Sequence, residues 1–181
     1  KRSSCFTGNN QRLRHHGFGI TLGSPSGRYV NDARVAQTVA AMWSRIGVKT
    51  AVDAAAPPVF FKNRNQRAYS AYLASWGNNT GEIGTTLGAQ LATYDKDAGQ
   101  GSANHGRYSN PELDALLSKA SKTMDDDARA RLLEEADSLA MSDFAILPIH
   151  FEVPSWGLRA DLEYEARADQ FTLPQNVTRS E

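Results

Sequence analysis

GFGITLGSPSGRYVNDARVAQTVAAMWSRIGVKTAVD, residues 17–53, settles the fold class. Its first seven residues, Gly17 to Gly23, alternate as a strand does, and the SPSG that follows carries turn chemistry. A helix should come next. Asn31 and Asp32 can cap it, and Val35, Ala36, Val39, Ala40, Met42, Trp43 and Ile46 recur at three- and four-residue spacings, which gives one apolar face. Gly47 suits the left-handed turn that ends a helix. Val48, Thr50 and Val52 then alternate with Lys49 and Ala51 as a second strand, so the stretch is a strand-helix-strand unit whose two strands are expected to run parallel.

Working outward, Pro57 and Pro58 favour the start of a short helix with Val59, Phe60 and Phe61 turned inward, and AYSAYLASW, residues 68–76, reads as a further strand. From Gly77 to Tyr108 the chain is rich in Gly, Asn, Thr and Ser, and reads as a long surface or ligand-facing loop with a small helix near Thr86 to Ala92. Asn110 and Pro111 open a helix carrying Leu113, Leu116, Leu117 and Ala120 on its buried side. Asp125, Asp126 and Asp127 place negative charge at the start of a second one, with Ala128, Leu132, Leu133, Ala136, Leu139 and Ala140 inward; together these form a helical hairpin. FAILPIHF, residues 144–151, is too short for a helix and is interrupted by Pro148, so a buried strand near a sheet edge is expected. The tail after Leu158 is polar. The fold class is therefore α/β, a mixed sheet flanked by helices on one core, with a helical hairpin.

The chain of 181 residues fits one domain or one lobe of a larger protein. Lys and Arg together number 20, as do Asp and Glu, so no charge excess draws it to nucleic acid, and no nucleic-acid partner is expected. A single cysteine, Cys5, excludes an internal disulfide framework and a cysteine-rich metal site. No stretch approaches the roughly 20 apolar residues that span a bilayer. Residues 1–16 are basic and weakly patterned, and are taken as a cut end or an added tail.

Gly23-Ser24-Pro25-Ser26-Gly27 puts proline where a nucleophile elbow needs its serine, and there is no phosphate-cradling loop, dinucleotide fingerprint or His-Glu-x-x-His. No catalytic residue, cofactor or metal is expected. His15 and His16 are adjacent, and His105 and His150 are far off in sequence, without ligand spacing. The acids at 125–127 and 134–135 are explained by capping and solvation.

Glu82 is different, because it stands as an isolated acid in a Gly/Asn loop after an aromatic strand end. Trp76 at that strand end can either cover a ligand with its flat face or plug the core. Arg28, beside Tyr29, lies between the first strand and its helix, at the edge where open α/β sheets collect ligands. It can grip a carboxylate or brace the loop, and bracing is the simpler reading.

These residues carry a resemblance. The run from Gly17 to Thr50, the run GRYSNPELDALLSKASKTMDDDARARLLEEADSLAMSDFAILPIHF at 106–151, and AYLASWG between them resemble, in order and spacing, the C-terminal lobe of the peptide- and nickel-type extracytoplasmic solute-binding proteins of ABC importers, often called family 5. The resemblance implies a periplasmic-binding-protein-like lobe over residues 17–157 and a tail, 158–181, that in relatives returns to an N-terminal lobe missing here. It implies no enzyme activity. It further implies a small solute, above all a peptide, held in an interlobe cleft, ABC permease membrane subunits as partners, and a periplasmic or extracytoplasmic location. Trp76 matches the family's tryptophan, and Arg28 and Tyr29 match a loop near the cleft. Glu82 is the nearest match to the acidic residue that pairs with a peptide's ammonium group in dipeptide-binding relatives, whose loop is usually richer in Asp and aromatics than GNNTGEIGTTL. The competing readings are the C-terminal part of an α/β enzyme and the ligand-sensing domain of a transcription regulator.

Overall fold

The computed structural model describes residues 18–78, 80–167, 169 and 171–180; Cys5, His15, His16 and the basic stretch 1–16 lie outside them. The chain divides between Ser75 and Trp76 into two compact units, inside the stretch expected to form one lobe on one core.

The first unit is built on β1 (Phe18–Pro25), α1 (Asp32–Arg45), β2 (Val48–Ala55), α2 (Pro57–Asn65) and β3 (Ala71–Tyr72). The strands form a sheet of order β2-β1-β3. β1 and β2 run parallel, as expected, in register from Phe18 opposite Val48 to Pro25 opposite Ala55. The central strand is the one buried at its C-terminal half, from Leu22 to Pro25. Gly47, at φ 88°, makes the left-handed turn between α1 and β2. Ala36 and Ala40 are the buried residues of the α1 stripe, whereas Met42 and Ile46 at its edge are exposed, so the helix carries a wider apolar face than the sheet covers.

Phe60 of α2 is fully buried, with Tyr69 stacked on it at 5.7 Å and Phe61 edge-on at 5.3 Å, while Val59 faces out, unlike the expectation. The strand expected over 68–76 is only two residues long. Leu22 and Gly23 of β1 face Ala71 and Tyr72, the Ser70 and Leu73 amides add bonds to the Thr21 and Gly23 carbonyls, and regular pairing ends there.

The second unit holds α3 (Ile83–Gln90), α4 (Pro111–Ala120), α5 (Asp126–Ser142) and a separate antiparallel pair, β4 (Leu162–Tyr164) with β5 (Val177–Arg179), preceded by a 3-10 turn at Pro174–Asn176. Its core unites Leu87, Leu91 and Ala92 with Leu113, Leu117 and Ala120 of α4 and Leu133, Ala136 and Ala140 of α5. The hairpin is as expected. Asn110 caps α4 by accepting from the Glu112 and Leu113 amides, and Asp125 caps α5 by accepting from the Ala128 amide.

Two expectations fail here. The Gly-rich stretch 77–108 contains the small helix expected near Thr86 to Ala92, here α3, but it is not a surface loop throughout, because Leu87, Leu91 and Ala92 join this core and polar bonds fasten the rest. The Gly101 and Ala103 amides donate to the Gly88 and Ala89 carbonyls of α3, and the buried Asn104 side chain donates to the Ala92 and Tyr108 carbonyls and accepts from the Tyr108 amide. The segment 144–151 forms no strand, and of its side chains Ala145 packs against the core. A strand persists only where a neighbour pairs its amides and carbonyls, and none among the described residues does so. Phe144, Leu147, Ile149 and Phe151 are exposed, the last by 96%.

Candidate functional site

Arg28 and Tyr29 sit in the loop 26–31 at the C-terminal end of β1. One carboxylate shapes that loop. Asp32, nearly enclosed, accepts from the Gly27 amide at 3.2 Å and the Ala33 amide at 2.8 Å through Oδ1, and from the Arg28 and Tyr29 amides at 2.9 and 3.0 Å through Oδ2. Burial by itself would raise its pKa, but those four donors outweigh it and hold the carboxyl below its ordinary value. Successive amides converging on one point make an anion-binding nest, and here the chain's own Asp32 fills it. Asn31, expected as a cap, instead adopts a left-handed φ of 55° and makes no side-chain cap bond.

With the main chain fastened, Arg28 is left exposed and Tyr29 half-buried. The Arg28 guanidinium lies 5.3 Å from the Tyr29 ring centroid, a cation–π contact that holds both side chains in place. Bracing of this loop therefore runs through the Arg28 amide, while its charged end stays at the surface. A shallow depression of 460 Å³ lies elsewhere on this unit, against Gly19, Thr21, Lys49 and Ser70, toward the opposite strand ends.

In the second unit Trp76 is 48% exposed, so it does not plug a core. The turn after it is held by a dense set of polar bonds. Asn78 Nδ2 donates to the Glu82 carbonyl at 3.0 Å, the Thr80 amide donates to Asn78 Oδ1 at 3.1 Å, and the Thr80 and Thr85 hydroxyls also donate to the Glu82 carbonyl.

Glu82, at the N-cap position of α3, has a partner that no sequence spacing announced. Arg129 of α5 donates from Nε to Glu82 Oε1 at 2.8 Å, and its two other nitrogens reach Asp126 Oδ1 at 2.6 Å and the Thr123 carbonyl at 3.2 Å. The guanidinium pKa is raised, first by the bond to Glu82 and then by that to Asp126. Helical periodicity places Arg129 on an outer face, and the 47 residues separating it from Glu82 hide the pairing.

A second polar cluster closes the hairpin. Tyr108 Oη and Asn110 Nδ2 both donate to Asp143 Oδ2 at 2.7 Å, and these bonds hold the carboxyl below its usual range at the C-terminus of α5. That arrangement is structural, and it adds to the cap Asn110 makes on α4 a bond that no sequence spacing announces.

No protein-family model matches the chain. It is 26% identical over 125 residues to the oligopeptide-binding protein OppA of Bacillus subtilis, an overlap covering 68% of this chain and 22% of that protein. With the glutathione-binding protein GsiB of Salmonella typhimurium it shares 30% identity over 141 residues, 75% of this chain and 27% of the relative. The chain thus spans about a quarter of the length of the curated relatives it matches. The fold likeness reaches further: the structure of Haemophilus influenzae OppA in complex with RPPGFSPFR superposes with a TM-score of 0.76 over 90% of this chain and 31% of that one, at 18% identity. Order of elements, parallel register and these overlaps agree, and the chain is similar in sequence and fold to part of the family 5 solute-binding proteins.

Proposed function

We propose that the complete protein binds peptides or similar small solutes outside the cytoplasm and delivers them to the membrane subunits of an ABC permease, and that it carries out no reaction on them. This chain supplies the C-terminal lobe, and an N-terminal lobe completes the cleft and closes by hinge motion. The observation that carries the reading is Trp76, half-exposed directly before a polar, internally bonded turn, on a chain similar to proteins named for binding oligopeptides, glutathione and murein peptides. An aromatic face left open at that cost in apolar exposure suits a solute that stacks on it. On the first unit, Arg28 and Tyr29 are proposed as ligand contacts in their own right, with the guanidinium held ready by the ring to take a carboxylate in two parallel hydrogen bonds. Water bridging the gaps lets one site accept varied side chains.

Thermal melting of the complete protein with a mixture of short peptides tests this. A solute at about 100 times its Kd stabilises the bound state by about 2.7 kcal/mol, so Tm should rise clearly, and Trp76→Ala should remove most of the rise. The absence of any shift with peptide, sugar or metal-chelate pools would end the proposal.

A further inference from the structure

The turn that follows Trp76 bears on which end of a ligand it can face. Between Gly77 and Glu82 the described residues offer Asn78, Thr80 and one acid, Glu82. That acid is already engaged by Arg129 at 2.8 Å. An exposed ion pair is weak on its own, but this one does not stand on its own, because Asp126 and the Thr123 carbonyl hold the same guanidinium. If Glu82 swung toward a ligand ammonium, Arg129 would keep its place through those two acceptors. The incoming cation would then meet a fixed positive charge a few ångströms away, and like charges at that distance repel.

An ammonium taken from water into a closing cleft needs a carboxylate of its own, and leaving it without one is costly. Amides and hydroxyls ask for no such charge, and the turn has both kinds at its surface in Asn78 and Thr80, held in place by their bonds to one another and to the Glu82 carbonyl. Resting on the solute-binding reading above, we propose that Glu82 is a positioning residue tied to Arg129, and that the turn 77–82 selects ligands whose facing end is uncharged and hydrogen-bonding, such as an N-acylated peptide, over ligands bearing a free α-ammonium.

The test uses the complete protein and two pools of short peptides of identical sequence, one with free amino termini and one N-acetylated, with affinities read by calorimetry at neutral pH. The acetylated pool is expected to bind at least as tightly as the free-amine pool. Glu82→Gln should leave that order unchanged, with affinities moving by less than about fivefold, the range of an exposed pair. Arg129→Met, which releases the Glu82 charge, should shift the preference toward free amines by about tenfold or more. The inference is overturned if the unaltered protein prefers free amines by about tenfold and Glu82→Gln abolishes that preference. In that case solute binding stands and only the selectivity falls. Binding of neither pool overturns both readings, and because the unaltered protein and Glu82→Gln together decide, a poorly folded Arg129→Met variant does not spoil it.

Discussion

Asp32 does more for the first unit than its place at a helix start suggests. Its carboxylate gathers four amides, three of them from the loop that presents Arg28 and Tyr29. Hydrogen bonds to a charged acceptor are worth about 1.5–3 kcal/mol where their loss leaves groups unpaired, so Asp32→Ala should lower stability by about 2–3 kcal/mol in urea denaturation. The pH dependence follows from the lowered pKa. Between that lowered value and the ordinary 3.8, the unfolded chain holds a proton that the folded chain does not, so folding is favoured as pH rises through this window. The contribution is complete above the ordinary value, and is lost as pH falls through the folded one. Asp32→Asn should flatten this part of the stability profile below about pH 4 and leave the rest of the curve parallel.

Among the elements, β1 depends on a glycine for a reason of space. A Cβ on Gly23 would stand 2.5 Å from the ring of Tyr69, which is stacked on the buried Phe60. Gly23→Ala should therefore cost about 1–3 kcal/mol through overpacking. The added cost should shrink when Tyr69→Ala is made in the same chain, a coupling that a double-mutant cycle in urea reads directly. Helices α4 and α5 were legible from sequence because cap, charge and apolar stripe agree within a few residues. α3 was legible only in outline, since its neighbours 91–108 are ordered by Asn104 and by amide bonds to α3 carbonyls, partners that periodicity does not reveal. The run 144–151 has the composition of a strand, but composition cannot provide the neighbouring edge that a strand requires.

At the scale of the whole molecule, the segment from Phe144 to Val153 leaves six large apolar side chains open to water: Phe144, Ile146, Leu147, Ile149, Phe151 and Val153. Exposed apolar patches drive association, so the isolated chain should elute as concentration-dependent oligomers in size-exclusion chromatography, and Phe151→Ser with Val153→Ser should move it toward the monomer. Elution as a monomer at all concentrations would contradict this. The sequence by itself determined the parallel strand-helix-strand unit and the helical hairpin, because periodicity, caps and turn residues act over short distances along the chain. Only the tertiary structure decided that Glu82 belongs to Arg129, that Asp32 fills its own anion nest, that Trp76 stays half in solvent, and that 144–151 lacks a strand partner. Each of these is a meeting of groups, or the lack of one, that depends on how the chain returns on itself, and side-chain spacing along the sequence carries no record of that.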